Sequence, residues 1–409
     1  MHIVIVGAGI VGTMTAYYLV QKGVQVTMID RHEKAGTAAS RANASLLCYG
    51  QKSPLGTPDI WGKIPKILLG RDPRIKIHQY FSPTLYFWLA GLLKNSSSDR
   101  YRLNYLYLSE LVEASRELLE EIIEKHNPSF DHRRNGRLNL YPDAAALEKG
   151  KLHNSLFAER FDIDFSVLSA EQCIEKIPSM KDRKAPLAGG IFTPLDASGN
   201  CEKFIDDIIE KYLIPSGLFH FMPETNAQRI VAKNGAIEGL ITDKDVIVAD
   251  HFVLCNGAWA PEFLKPYQIY LPIYPVKGYH IQCDMPDGLS IGPNIMDTYS
   301  NLVAMQLGDR LKLSTGFIFN GFNDDVPKKY LINLKAAAQE VFPGLSLKNI
   351  VVNKGFRPYT PDSLPIVKPS QKIRNLSYNL GHSMLGWTLA PATGKQCAEQ
   401  IAHFYGLKQ

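Results

Sequence analysis

His2-Ile3-Val4-Ile5-Val6-Gly7-Ala8-Gly9-Ile10-Val11-Gly12 opens the chain, and Val24-Gln25-Val26-Thr27-Met28-Ile29-Asp30 follows one helix later. Ile3 to Val6 are all β-branched and apolar, the composition of a strand buried on both faces. Met14, Ala16, Tyr17, Leu19 and Val20 then suit a helix stopped at Gly23. Strand, glycine turn, helix, second strand and terminal acid together make a β-α-β unit of the dinucleotide-binding kind. Gly7 makes the tight turn, Gly9 lets the backbone approach a pyrophosphate, and Gly12 lets the helix pack on the strand. Ala8, Ile10 and Val11 fill the rest of the turn, where free N–H groups at the helix start favour an anion. Asp30 is placed to accept hydrogen bonds from an adenosine ribose and to repel a 2′-phosphate, which disfavours the phosphorylated nicotinamide cofactor. Arg31, next to it, is counted with the cofactor-binding residues.

The 409 residues, 45% hydrophobic and 21% charged, suffice for more than one domain and exclude a disordered or collagen-like chain. A net charge of +5 falls short of the concentrated basic face of a nucleic-acid binder. The 6 cysteines include no C-x-x-C pair and the 11 histidines no H-E-x-x-H pair, so no zinc ribbon, disulfide framework or protein-bound metal is expected. A reducing, cytoplasmic location fits best. Ile3 to Val20 is uncharged, but no Lys or Arg precedes it and three of its residues are glycine, so it reads as a buried strand and helix rather than a signal peptide or membrane span.

From Pro54 to Leu93 the sequence turns Pro-broken, aromatic and basic, with Trp61, Lys63, Lys66, Arg71, Arg74 and Lys76 ahead of Tyr80-Phe81-Ser82-Pro83-Thr84-Leu85-Tyr86-Phe87-Trp88. A helical hairpin packed on the protein is the first reading; contact with the inner face of the cell membrane, rings immersed and cations on anionic headgroups, is the second. Lys94 to Asp99 reads as a loop. Leu108, Leu111, Val112, Leu118, Leu119, Ile122 and Ile123 recur at helical spacing against a glutamate-rich face. Strands are expected at 137–141, 189–193, 228–231, 237–241, 246–248, 252–255, 279–283, 310–315 and 376–380, with a helix over 201–213 and an Ala-rich helix at the end. Phe252 to Cys255, running into the small-residue turn at Gly257, is expected to rejoin the first sheet. The expected fold class is therefore α/β, with a Rossmann-like parallel sheet and an inserted domain of mixed or antiparallel sheet and helices. Residues 1–50, 195–267 and 351–409 are assigned to the cofactor domain and 51–194 with 268–350 to the substrate domain.

Two motifs fail. Gly288-Leu289-Ser290-Ile291-Gly292 has the G-x-S-x-G spacing but lacks a preceding buried strand and is followed by Pro293. Gly394-Lys395 lacks both the earlier glycine and the following Ser or Thr of a phosphate loop.

The glycine unit, Ala39-Ser40-Arg41-Ala42-Asn43-Ala44, Tyr274-Pro275-Val276-Lys277-Gly278-Tyr279, Gly355-Phe356-Arg357-Pro358-Tyr359-Thr360-Pro361-Asp362 and Gly381-His382-Ser383-Met384-Leu385-Gly386-Trp387-Thr388 occur in order. In this the chain resembles the small-subunit type of bacterial D-amino-acid dehydrogenase, within the glycine oxidase, sarcosine oxidase and D-amino-acid oxidase superfamily. The resemblance implies non-covalent FAD, with Gly7, Gly9, Gly12 and Asp30 on its ADP half. Ser40 and Asn43 would lie along the pyrophosphate and ribityl chain, and Gly381, His382, Leu385, Gly386, Trp387 and Thr388 near the isoalloxazine. It implies that Arg357 grips the substrate carboxylate, a role that suits a bidentate guanidinium. A tyrosine assists in the superfamily; Tyr299 and Tyr279 are the candidates. Ala44-Ser45 and Ser383-Met384 depart from the usual residues at their positions.

The implied reaction is hydride transfer from Cα of a small neutral or cyclic D-amino acid, such as D-alanine or D-proline, to flavin N5. It gives a 2-oxo or imino acid, with electrons passed to a quinone-type acceptor. His382 is read as a turn residue beside the flavin rather than a base. The alternatives are a glycine- or sarcosine-type oxidase using O2, a nicotinamide-dependent dehydrogenase or imine reductase, and a non-catalytic FAD-binding subunit.

Overall fold

A computed structural model describes residues 1–50, 52–69, 75–79, 81–158, 161 and 163–407. Arg71, Arg74 and Tyr80, part of the basic aromatic stretch, lie outside the described residues. The first third of the chain forms β1 (His2–Val6), α1 (Ile10–Gln21), β2 (Gln25–Ile29), α2 (Ile60–Leu68), α3 (Pro83–Asn95) and α4 (Ser98–His126). The middle contributes β3 (Arg137–Tyr141), α5 (Ala144–Ala158), β4 (Phe219–Met222), β5 (His251–Leu254) and β6 (Tyr274–Asp284). Then follow β7 (Asn294–Asp297), β8 (Leu302–Leu307), β9 (Arg310–Phe319), β10 (Val351–Tyr359), β11 (Leu376–Leu380) and α6 (Gly386–Tyr405).

The opening unit folds as its composition dictates. Ile3, Val4 and Ile5 are fully buried, and β1 pairs in parallel with β2 on one side and β5 on the other. β4 extends the sheet beyond β2 and β11 beyond β5, both in parallel, and Ile366–Pro369 closes the far edge antiparallel to β11. Strands from both ends of the chain thus share one six-stranded sheet. α1 lies against α6 closely enough that a Cβ at Gly394 would come within 2.7 Å of the Met14 backbone.

A second, mixed sheet runs in the order β10, β6, β9, β8, β7, β3, then Gly189–Thr193 and Ser166–Ser169, with Ile75–Ile77 alongside β9. Strand alternation divides its two faces. Leu138 and Leu140 of β3, Ile295 of β7, Leu302 and Ala304 of β8 and Leu313 of β9 enter one hydrophobic cluster with Leu334, Ala338 and Phe342. Their neighbours Arg137, Asn139, Tyr141, Met296, Val303 and Ser314 line a cavity on the opposite face. The alternation is interrupted once. Between Lys277 and Tyr279 of β6 the register with β9 slips, and Gly316 takes the left-handed conformation at φ +67. Such a bulge re-aims the groups around it.

Two expectations change. Val351–Tyr359, assigned by sequence to the cofactor domain, pairs along its length with β6 and belongs to the second sheet. The Lys94–Asp99 loop shrinks to a joint, because α3 runs to Asn95 and α4 starts at Ser98. The serines are there because Ser96 and Ser97 occupy the C-cap of one helix and the N-cap of the next. The expected strands lie where the periodicity puts them, the strands at Ser166–Ser169, Phe219–Met222, Asn294–Asp297, Leu302–Leu307, Val351–Tyr359 and Ile366–Pro369 were not anticipated, and 201–213 forms an α-helix continued by a π-turn.

Candidate active site

One cavity of about 670 Å³ runs between the two sheets. One end is built by the glycine turn. Gly7 has φ +108, and a Cβ there would lie 2.7 Å from the Cys255 carbonyl oxygen; at Gly12 it would lie 2.0 Å from the Gly7 oxygen. Only glycine fits either position, and the resulting close approach leaves the backbone of Gly7, Gly9, Ile10 and Val11 on the cavity wall. Two helices begin at this cavity, α1 at Gly9 and α6 at Leu385, and neither has a side-chain N-cap bond. Both therefore turn the positive ends of their dipoles toward whatever occupies it.

Asp30 accepts from Ala8 N at 2.8 Å and from His32 N and Nδ1 at 3.0 and 2.7 Å. A carboxylate has about four lone-pair sites, so one remains for a ribose hydroxyl. Ser40 Oγ accepts from Ile10 N at 2.9 Å, and Asn43 Oδ1 accepts from Ser45 N at 2.7 Å. Arg31 lies 4.1 Å over the Trp259 ring at the mouth, beside Gly257. Asn256 Oδ1 and Asn379 Oδ1 are shut from solvent without a partner among the described residues, and both residues line the cavity. Fixed N–H groups, uncapped helix starts and idle acceptors fit an elongated anionic dinucleotide.

At the other end Arg357 of β10 folds across β6. Gly278 makes this possible, since a Cβ there would lie 2.1 Å from Arg357 Nη1. Nη1 donates to the Gly316 carbonyl at 3.4 Å, and the guanidinium lies 5.3 Å over the Phe317 ring. Burial lowers the Arg357 pKa from its ordinary value, with the neighbouring Tyr359 opposing the shift. Among the described residues Arg357 forms no ion pair, and the acidic residues on the cavity wall, Asp30 and Glu262, belong to the cofactor end. An uncompensated buried charge costs on the order of 3–5 kcal/mol, so the arrangement calls for an anion.

Arg137, by contrast, is neutralised by Asp196, Nε to Oδ2 at 3.0 Å. Asp196 also accepts from Tyr49 N and Gly50 N at 2.7 and 2.6 Å, which fixes the segment that brings Cys48 to the cavity. Burial pushes the Cys48 thiol up to about 11, so it is protonated at neutral pH.

The two ends are tied together. Ser383 N donates to Pro358 O at 3.0 Å, and Tyr359 forms a bridge with His382. His382 is buried beside Thr393, Nε2 to Oγ1 at 2.9 Å, and burial pushes its pKa down to about 3. It is neutral and a poor proton acceptor, in keeping with the turn-residue reading.

The structure gathers most of the expected residues around one cavity: Gly7, Gly9, Ile10, Val11, Asp30, Arg31, Ser40, Asn43, Gly257, Arg357, Gly381, His382, Leu385, Gly386 and Trp387. Ala8, Gly12 and Thr388 stand just behind it: Ala8 through its bond to Asp30, Gly12 under Gly7, and Thr388 accepting from Cys48 N at 3.1 Å. Neither tyrosine candidate joins them. Because Gly278 faces Arg357, Tyr279 faces the opposite side, 3% exposed and packed on Tyr330 at 5.6 Å. Tyr299 sits in the turn after β7 with 53% of its surface exposed. Sequence reading missed Asn301, Asn139, Tyr141, Tyr105 and His153, which do line the substrate end. Among the described residues no group of three or more His, Cys, Asp or Glu is placed to hold a metal ion.

The family model described as FAD dependent oxidoreductase matches residues 2–400. A D-amino acid dehydrogenase of Bradyrhizobium diazoefficiens is 31% identical over 404 residues, covering 98% of this chain and 95% of that one. One of Vibrio cholerae is 29% identical over 405 residues, covering 98% and 95%. Among solved structures, glycine oxidase from Geobacillus kaustophilus superposes with a TM-score of 0.76 at 20% identity, covering 98% of this chain and 94% of that one. L-proline dehydrogenase from P. horikoshii gives 0.72 at 19%, covering 100% and 94%. These structural likenesses speak for the fold, a two-sheet FAD-binding architecture. With the sequence match spanning nearly every residue, the chain belongs to the DAO family of FAD dependent oxidoreductases.

Proposed function

We propose that this protein oxidises D-amino acids at Cα, holding FAD in the glycine cradle and the substrate carboxylate on Arg357. The observation that carries this reading is a buried guanidinium without a counter-charge, in the same cavity as the cradle and hydrogen-bonded through its strand to the Gly381–Ser383 turn. The names of the relatives, D-amino acid dehydrogenase, support the substrate class.

FAD, when bound, supplies the acceptor for the hydrogen and electron pair leaving Cα. The chain's own work is orientation and charge. Arg357 fixes the carboxylate bidentately and so limits how Cα can be presented. No carboxylate lines that end among the described residues, so the site disfavours an ammonium ion and favours the neutral amine, whose lone pair forms the imine. Because the Cα hydrogen leaves with its electron pair, no strong base is required there, and His382, neutral and held by Thr393, is not placed to act as one. The imino acid is then hydrolysed to a 2-oxo acid and ammonia, or stays cyclic.

Two electrons must leave again, and a quinone at a membrane surface is the proposed acceptor. Among the described residues no helix is long and apolar enough to cross a membrane. The inner faces of α2 and α3 are packed, with Ile60, Ile67, Leu85, Trp88 and Leu92 in one cluster with Tyr274 and Tyr359. Their outer faces are not: Trp61 is 56%, Phe87 76% and nearby Phe81 99% exposed, with Lys63 and Lys66 on α2. Exposed rings beside cations suit an anionic interface. Trp88 Nε1 donates to Tyr359 O at 2.8 Å, joining this surface to the strand that carries Arg357.

Anaerobic addition of D-amino acids, L-amino acids, sarcosine and glycine to the yellow protein tests the reading. Bleaching by D-amino acids alone is expected. Bleaching by glycine or sarcosine only, or by none of the panel, would replace it with an amine oxidase or a non-catalytic subunit. Peroxide release in air would replace the quinone with oxygen.

A further inference from the structure

We propose that Asn301 binds the substrate's α-amine, its side-chain carbonyl accepting an N–H while Arg357 holds the carboxylate. The proposal rests on the Arg357 reading above and goes beyond it by naming the group that orients nitrogen.

Asn301 immediately precedes Leu302, which pairs with Thr315 of β9. It therefore sits one strand away from Gly316, roughly 5 Å across the sheet, and Gly316 is the residue whose carbonyl receives Arg357 Nη1. Asn301 is 6% exposed and lines the cavity, and its Oδ1 is shut from solvent with no hydrogen-bond partner among the described residues. Buried amides almost always find partners, so an idle one on a cavity wall marks a place where a ligand supplies the missing group. A backbone φ of +56 explains why Asn is tolerated at this turn, but it leaves the amide unexplained.

The chemistry at that spot is restrictive. A substrate amine beside Arg357 needs an acceptor, and the site offers no carboxylate among the described residues. The Gly316 carbonyl is already engaged by Arg357. An amide oxygen accepts an N–H from a neutral amine without stabilising the ammonium form as a carboxylate would. It fixes rotation about the Cα–N bond, so the nitrogen lone pair aligns with the breaking C–H bond. As that bond's electron pair departs with the hydrogen to FAD and the lone pair becomes the C=N bond, the nitrogen turns positive. The N–H···O contact then strengthens, and its loss shows in kcat as well as in binding.

Asn301→Gly separates this role from a turn role, because glycine keeps the left-handed backbone and deletes only the amide. Two probes that cannot be oxidised, 2-aminoisobutyrate and pivalate, differ only by an amine in place of a methyl group. Each is titrated into the FAD-loaded wild type and variant, following the visible absorbance of the flavin. The expected result is about tenfold weaker binding of 2-aminoisobutyrate by Asn301→Gly, with pivalate changed less than about twofold. In parallel, kcat for the D-amino acid that bleaches fastest falls about tenfold or more. Unchanged affinity for both probes makes Asn301 a turn residue and overturns the proposal alone. Equal weakening of both overturns it in favour of a contact at the carboxylate end. A wild type that binds neither probe overturns the Arg357 reading and this proposal together.

Discussion

The two ends of the cavity are built on different principles. The cofactor end is made chiefly of backbone: Gly7, Gly9 and Gly12 clear the way for N–H groups within one short β-α-β unit, which the side chains of Asp30 and Ser40 brace. The substrate end is made of side chains from β3, β7, β8, β9 and β10, brought together by a mixed sheet. A backbone site depends on where Cβ atoms are missing, so it tolerates no added carbon and leaves a motif in the sequence. A side-chain site depends on which strands are neighbours, so it can be altered residue by residue while the fold survives. Cofactor retention and substrate turnover should therefore fail separately.

The largest effect should come from adding atoms to the backbone end. Gly12→Val sets a side chain against the Gly7 carbonyl, and the purified protein should be colourless or insoluble; a yellow, soluble Gly12→Val protein would remove the distinction between the two ends. Next, Arg357→Ala should lower kcat/KM about a thousandfold while flavin content stays at the wild-type level. Gly278→Ala should fall between, at roughly tenfold to a hundredfold, because the new methyl displaces the guanidinium without removing it. Its signature is a raised KM for the amino acid with FAD content unchanged. If Gly278→Ala instead loses flavin, the ends are more tightly coupled than the bond from Ser383 to Pro358 implies.

The smallest effect concerns stability. Burial pushes His382 down to about 3, His251 down to about 4, and His280 well below its ordinary value. In the unfolded chain these groups take up protons near 6.5, before the folded protein does. Stability should therefore fall as pH drops below about 6.5 and go on falling until the folded values are reached. Scanning Tm against pH checks this, and His382→Gln should make the acid slope shallower. An unchanged slope would mean that His382 is already charged in the folded protein.

The same contrast explains what could be read from sequence. β1, the glycine turn, α1, β2 and Asp30 are contiguous, and each residue type has a local cause, so this β-α-β unit was legible in the sequence. Strand β11 and the Gly381–Trp387 turn were found because a buried run leads into a glycine turn. Arg357 was singled out by family resemblance; no local pattern marks it, and the glycine that seats it lies on another strand at position 278. Tyr279 was a candidate for the assisting tyrosine that the family resemblance implies, but alternation turns it into the core opposite Gly278. Tyr299 was two residues from a cavity-lining position, and the turn puts Asn301 there instead. Residues 351–359 were counted with the cofactor domain, and their pairing with β6 was not foreseen because a strand's partners are set by long-range register, which Val351–Tyr359 does not encode by itself. The packed and exposed faces of α2 and α3 show why the choice between a docked hairpin and a membrane surface was left open: the segment has a face suited to each.

The most direct test is a single anaerobic turnover in which the fastest D-amino acid is mixed with FAD-loaded wild type and with FAD-loaded Arg357→Ala, and loss of yellow colour is followed in time. Rapid bleaching of the wild type and a variant that stays yellow about a thousand times longer is the predicted result. Bleaching of Arg357→Ala at the wild-type rate would contradict the assignment of Arg357 as the carboxylate anchor.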